Sequence, residues 1–418
     1  MEQATTVSER LEARCCVVGG GPAGMMLGFL LARAGVDVIV LEKHVDFLRD
    51  FRGDTIHPST LELMYELEIL EEFLRRPHQE LSQIGAEIEG LAAPIADFTH
   101  LPTHCKFVGL MPQWDFLNFI AEKAKQYPRF RLRMESQVTG LLQEDGRMLG
   151  VQAKTPHGIL EVRADVTVGA DGRHSTVREQ AGLEVIDLGA PIDVLWMRVS
   201  RQPGDPNQTL GRFRAGKILV TLDRGEYWQC AYVIPKGGFE TIQAAGLASF
   251  RQDIAEIAPF LALRMNEITD WNSVKLLTVA VDRLRQWSKP GLLCIGDCAH
   301  AMSPVGGVGI NLAIQDAVAA ANILASPLTR GAVRDEDLQR VQRRRTFPTR
   351  MTQGVQVFMH RKFIRPSLGN RTPIRRLPFP LRLLKQFPLL RRLPARIVGL
   401  GFRPEHIATP DSKSNPAQ

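Results

Sequence analysis

The chain has 418 residues, 44 % hydrophobic and 23 % charged, which is the make-up of an ordinary globular protein with length for two or three domains. No apolar run approaches the length of a membrane span, and the opening MEQATTVSERLEAR has no apolar core of a secretory signal, so a cytoplasmic protein is expected. The net charge of +7 is uneven: Arg361 to Arg403 holds twelve Lys/Arg and no Asp or Glu, which leaves −5 for the remainder.

The first predicted unit is CCVVGGGPAGMMLGFLLARAGVDVIVLEK, Cys15 to Lys43. A short apolar strand meets Gly19, Gly21 and Gly24, an apolar helix follows, and a second apolar strand ends in Glu42. Strand, glycine turn, helix, strand and acid make a dinucleotide-binding unit. Gly19 permits the tight turn, Gly21 lets backbone approach a pyrophosphate, and Gly24 lets the helix pack closely on the strand. The positive end of the helix holds the diphosphate. Glu42 accepts hydrogen bonds from an adenosine ribose and argues against a 2′-phosphate, which favours FAD or NAD over NADP at this site.

Helical spacing is read over Ser59–Arg75, then a looser stretch from Pro77 to His104, then a helix over Met111–Gln126. Strands are expected over Arg129–Gln143 and Gly150–Thr167, with Asp145-Gly146 as a turn. The block Asp193–Pro235 alternates apolar and polar residues and predicts an antiparallel sheet with a hairpin at Asp223–Glu226, one face free to cover a pocket. Phe250–Met265 is helical in pattern and Lys275–Val281 strand-like. Six cysteines, Cys15, Cys16, Cys105, Cys230, Cys294 and Cys298, show no CxxC or zinc spacing, so reduced thiols and no metal site are expected.

Two further motifs carry chemistry. In VTVGADGRHSTVR a strand runs into Asp171-Gly172, and Ser175-Thr176 opens a helix. In LLCIGDCAHAMSPVGGVGINLAIQDA a strand ends in Gly296-Asp297, and a loop with Pro304, Gly306, Gly307 and Gly309 feeds a long apolar helix. Each alone also reads as an ordinary turn. His300 reads as a local hydrogen-bonding residue.

Together the three motifs resemble the single-component (group A) flavoprotein aromatic hydroxylases, the family around para-hydroxybenzoate hydroxylase, across most of Val17–Asn322. The resemblance implies an α/β fold: a Rossmann-like FAD-binding domain (1–75, 105–180 and 275–355), an inserted antiparallel β-sheet substrate domain (76–104 and 181–274) and a basic C-terminal helical segment (356–418). It implies that Gly19, Gly21, Gly24, Glu42 and Lys43 hold the ADP half of FAD. Asp171 and Gly172 serve FAD and NAD(P)H handling. Gly296 and Asp297 face the ribityl chain, with Pro304, Gly307 and Gly309 beside the flavin. Arg52 touches the pyrophosphate region, and Gln113 the flavin side.

The implied activity is a monooxygenase: NADH or NADPH reduces FAD, O2 gives a flavin C4a-hydroperoxide, and an aromatic, quinone-like or polyketide substrate is hydroxylated. The alternative is an FAD-dependent reductase of isoprenoid or polyene double bonds on the same fold. Trp196, Arg212, Arg214, Trp228 and Gln229 are candidate substrate liners, and His57 a candidate proton relay, because imidazole titrates near neutrality. Neither the nicotinamide donor nor the oligomeric state is legible.

The tail LPFPLRLLKQFPLLRRLPARIVGL interleaves Leu and Phe with Arg. It is expected either to touch anionic lipid or to pack its Leu face on the protein and leave Arg in water. Nucleic acid is not an expected partner, since stacking aromatics there are limited to a few Phe.

Overall fold

The computed structural model describes residues 7–48, 55–206, 209–369 and 376–413. The first element, β1 (Val7–Val18), alternates in burial to Arg14 and is fully inward from Cys15. It lies inside an eight-stranded sheet with the path β19 (Ser288–Lys289), β20 (Leu292–Cys294), β11 (Gly158–Gly169), β1, β2 (Val38–Leu41) and β8 (Phe130–Arg133). The run from β20 to β8 is parallel, and β9 (Gln137–Glu144) and β10 (Arg147–Thr155) extend it as an antiparallel hairpin on β11. Strands covered on both faces are apolar throughout, as VIVL in β2 shows.

Helix α1 (Pro22–Arg33) packs against α4 (Gln113–Ala124) and α8 (Gly309–Thr329). α8 is long and apolar enough to cross a membrane, yet most of it is buried, as the central helix of this core. The expected single helix over Ser59–Arg75 is two, α2 (Pro58–Glu66) and α3 (Leu70–Leu74), broken where Glu68 takes a positive φ of 59°. The expected strand Gly150–Thr167 is likewise divided between β10 and β11, by the turn at Pro156-His157.

A seven-stranded sheet has the order β17 (Lys275–Leu277), β13 (Ile192–Ser200), β16 (Tyr227–Pro235), β15 (Lys217–Asp223), β14 (Leu210–Arg214), β5 (Gln83–Ile88) and β6 (Leu91–Asp97). One face, with Leu195, Met197, Leu219, Trp228 and Tyr232, packs under α7 (Leu247–Ile257) and the 3-10 segment Pro259–Glu267, next to α6 (Phe239–Ala245). The opposite face carries Val194, Trp196, Val220 and Ala231. Two small sheets complete the strands: β3 (Thr55–Ile56), β7 (Val108–Leu110) and β4 (Gln79–Leu81) in that order, and β12 (Val185–Asp187) with β18 (Asp282–Leu284).

After α9 (Asp335–Met359) a π-helical turn, His360–Ile364, leads into α10 (Arg365–Ser367). Then α11 (Phe379–Gln386), a 3-10 turn Pro388–Arg391 and α12 (Arg392–Gly399) all pack on the edge strand β6. The last described residues return across the first sheet's helices: Ile407 N–H donates to Glu66, and Asp411 pairs with Arg33.

Candidate functional site

The three glycine-and-acid motifs leave the parallel sheet side by side. Val18 is level with Gly169 and Leu41, and Gly169 with Cys294. Backbone bonds continue the row beyond the strands, from Gly19 N to Leu41 O (2.8 Å), Ala170 N to Val18 O (2.8 Å) and Ile295 N to Gly169 O (2.9 Å). Segments more than a hundred residues apart in sequence therefore meet at adjacent carboxyl ends, the place where open parallel sheets bind ligands.

At the first of these ends Gly19 has φ +107°, and a Cβ on Gly24 would lie 1.9 Å from Gly19 O, so helix and turn touch backbone to backbone. The first turn of α1 has Pro22 and no capping side chain, which leaves a positive helix end undischarged. A Cβ on Gly21 would meet no protein atom within 4 Å. Glu42 accepts from Gly20 N (2.8 Å) and His44 N (3.1 Å), which fixes its carboxylate at the turn; Lys43 is exposed.

The second and third motifs touch. Arg173, directly after Asp171-Gly172, reaches Asp297 at 3.7 Å, and Cys298 Sγ donates to Ser175 Oγ at 3.1 Å. Ser175 caps α5 (Thr176–Gln180). Asp171 accepts from Val177 N, while its other carboxylate oxygen is buried without a partner among the described residues. Burial pushes the Cys298 thiol well above its usual pKa, so it is a packed, unreactive sulfur.

The loop before α8 turns through Gly306 (φ 82°) and Gly307 (φ 62°), after Pro304. Asn311 pins it: its amide donates to Thr55 O (3.0 Å) and Gly307 O (3.3 Å), and its carbonyl oxygen accepts from His57 N and Thr60 Oγ1, both 2.8 Å. From the other side Gln356 holds Ser303 N, Ser303 O and Val305 O, and His360 Nε2 meets Ser303 Oγ at 2.8 Å. α8 starts at Gly309 with no side-chain cap, a second undischarged helix end. Gln113 is the first residue of α4, half-buried after β7, whose partner β3 begins at Thr55. Arg52 lies outside the described residues.

These features fit FAD. The open space at Gly21 and the bare end of α1 suit a diphosphate, and the carboxylates of Glu42 and Asp297 suit sugar-like hydroxyls. The family model described as FAD binding domain matches residues 12–355. A 6-methylpretetramide 4-monooxygenase of Streptomyces rimosus is 34 % identical over 390 residues, 91 % of each chain. The chain belongs to this family of FAD-dependent aromatic monooxygenases. A rifampicin monooxygenase of Streptomyces venezuelae is 31 % identical over 308 residues, 72 % of this chain and 61 % of its own length. In fold, the p-nitrophenol 4-monooxygenase PnpA of Pseudomonas putida DLL-E4 matches with a TM-score of 0.70 at 21 % identity, over 94 % of this chain and 100 % of that one.

In this FAD-dependent monooxygenase the second face of the seven-stranded sheet is apolar and packs with Val305, Ile364 and Leu368. Trp196 and Gln229 belong to the face opposite α7, where Trp196 clusters with Val194, Ala231 and Val305 of the loop. Three other expected liners are corrected by strand parity. Trp228 is fully buried under the 3-10 segment, with its indole donating to Asp205. Arg212 donates to Thr221 and lies over the Phe260 ring, and Arg214 donates to Glu256 O in the last turn of α7. All three point away from the loop.

His57 is also corrected. It is 1 % exposed, its Nδ1 bonds Val398 O (2.7 Å), and burial lowers its pKa to about 4, so at neutral pH it is an uncharged bridge to α12.

Sequence reasoning missed the buried network behind the Gly296-Asp297 loop. Asp316 on α8 accepts from Gly296 N (3.0 Å), His300 Nε2 (2.5 Å) and Arg345 Nε (2.8 Å). His300 is thus local in role, as expected. The available signal was three polar residues, Asn311, Gln315 and Asp316, in the first turns of a mostly apolar helical run.

Proposed function

We propose that this enzyme hydroxylates a polycyclic phenolic or quinone-like aromatic substrate, drawing electrons from NADH or NADPH and oxygen from O2. The observation that carries the reading is the apolar contact between Val305, in the loop leading to α8, and the sheet face bearing Trp196, Val220 and Ala231. An aromatic ring held there would be flat against apolar walls and screened from water. The whole-length likeness to a 6-methylpretetramide 4-monooxygenase supports a substrate of polyketide type.

When bound, FAD supplies the redox chemistry and the activation of O2. The chain does the rest. Gly19, Gly21 and Gly24 set the first turn of α1 against the diphosphate, while Glu42, with Lys43 beside it, takes the adenosine ribose. Asp297, steadied by Arg173, faces the ribityl hydroxyls, and Asp171-Gly172 support that contact from the neighbouring strand. Gln113 approaches from the α4 side, and the family resemblance gives Arg52 the pyrophosphate region. The bare N-terminus of α8, at Gly309, stabilises negative charge on the flavin ring, and Pro304 to Gly307 form the wall beside it. Trp196 and Gln229 line the substrate side. In this reading residues 76–104 and 181–274 form the substrate-binding unit.

The test is incubation of the FAD-loaded enzyme with NADH or NADPH, isotopically labelled O2 and a panel of tricyclic and tetracyclic phenols and quinones. The expected result is substrate-stimulated NAD(P)H consumption with one labelled oxygen in the product. Consumption with hydrogen added to a double bond and no label would replace this reading with the reductase one.

A further inference from the structure

Residues 376–399 fold into α11, the 3-10 turn and α12, and their packing on β6 uses a narrow inward side. Leu377 is buried in a cluster with Ala86, Ile88 and Ala93, and Leu381 packs against it. Ala395 is buried with Phe98 and Leu101, and Gly399 is so close that a Cβ there would lie 2.7 Å from Leu101. The inward side thus uses Leu377, Leu381, Ala395 and Gly399, and a second set of large apolar residues faces out. Phe379 is 67 % exposed, Phe387 51 %, Leu389 68 %, Leu390 42 % and Leu393 66 %. Of the two expectations for this tail, packing on the protein holds for Leu377, Leu381, Val398 and Leu400, while a second apolar set is left facing outward.

The cations lie among these residues. Arg376, Arg382, Lys385, Arg392 and Arg396 are exposed, and Arg382 sits over the Phe379 ring. Arg391 is engaged differently, donating to Leu384 O and Lys385 O at the end of α11. No acidic residue occurs between Arg361 and Arg403, so the patch has no neutralising carboxylate of its own. The family match ends at residue 355, before this segment begins.

We propose that the outer face of residues 376–396 is a docking surface for an anionic lipid bilayer. Exposed Phe and Leu amid Arg and Lys match the acyl boundary and the phosphate layer of such a surface together. A second copy of this chain is the poorer occupant, because it would bring two uncompensated cationic faces together. A peripheral seat on lipid would place the enzyme where a lipophilic aromatic substrate accumulates. That last step rests on the proposed substrate class; the docking does not.

The test is co-sedimentation of the full-length FAD-loaded protein with phosphatidylcholine vesicles, with and without phosphatidylglycerol. Partitioning is expected only onto the anionic vesicles, and to be reversed by salt. Leu389→Ser/Leu393→Ser and, separately, Arg382→Gln/Lys385→Gln/Arg392→Gln should each lower the partition coefficient about tenfold or more, with flavin absorbance and NAD(P)H oxidation unchanged. As a variant that keeps the patch, Leu389→Trp should shift its emission to the blue on anionic vesicles only.

Equal binding to neutral vesicles, or no effect of either set of substitutions, overturns the proposal. So does a concentration-dependent dimer in sedimentation velocity that the Leu substitutions abolish while vesicle binding is absent. Hydroxylation assays are separate from all of these readouts, so failure of the activity reading leaves the lipid result interpretable.

Discussion

Arg345 on α9 and Asp316 on α8 form an ion pair, 2.8 Å from Nε to Oδ1, with both side chains shielded from solvent. Burial pushes the Asp316 carboxyl up, but His300 and Arg345 outweigh it and hold it below the usual aspartate range. Glu405 joins through Arg345 Nη1 at 3.2 Å and binds Arg344 as well. Asp316 and Glu405, bridged by Arg345, therefore connect the Gly296 loop, two helices and the returning C-terminal segment.

Asp316→Asn should cost about 3–5 kcal/mol in urea unfolding, because it leaves a buried guanidinium without half of its compensation. It should also lower bound flavin, since the Gly296 N–H loses its carboxylate. Arg345→Met should fall in the same range. A loss under about 1 kcal/mol for both would show that the pair is energetically replaceable.

The pH dependence of His57 follows from its burial. Its folded pKa of about 4 lies below the ordinary 6.5, so between those values the unfolded chain binds more protons than the native one. Its contribution is complete above about 6.5 and is lost as pH falls toward 4, by roughly 3 kcal/mol. Guanidinium titrations at stepwise pH should show this fall, and His57→Gln should flatten the slope in that window.

Gly21 and Gly24 should behave oppositely. Gly24→Ala places a methyl 1.9 Å from Gly19 O, so α1 must move, and the protein should lose both stability and flavin. Gly21→Ala meets no protein atom and its φ of −75° suits alanine, so unfolding should be unchanged while FAD affinity drops at least tenfold. Unchanged flavin affinity in Gly21→Ala would remove the diphosphate from that position.

Asn311 makes four hydrogen bonds to Thr55, His57, Thr60 and Gly307. Asn311→Leu strands those groups and should destabilise by about 2–4 kcal/mol, with faster flavin release in stopped flow. Asn311→Asp keeps the acceptors and loses the donors, and should fall between the two.

The dinucleotide unit was legible because its requirements are local: turn glycines, an apolar helix and an acid are all set within thirty residues of chain. The β block was legible as alternation, but alternation names two faces without saying which one is covered. Trp228 and Arg212 were assigned to the wrong side because α7 and the 3-10 segment that cover them come later in the chain. Asp316, Arg345 and Glu405 left little trace, since each is an ordinary charged residue until tertiary packing brings it to the other two. The break at Glu68 was missed for a related reason: helical spacing continues through Leu67 and Ile69 while the backbone does not.

The pairing of β1 with β11 has a consequence during synthesis. The first twelve-residue strand waits for a partner that begins at Gly158, so over a third of the polypeptide emerges before that edge is satisfied. Until then a fully apolar stretch, Cys15 to Val18, presents unpaired backbone that any passing strand can join. Chaperone engagement of the nascent N-terminal third is the natural protection, and truncations that stop short of Gly169 should aggregate rather than fold.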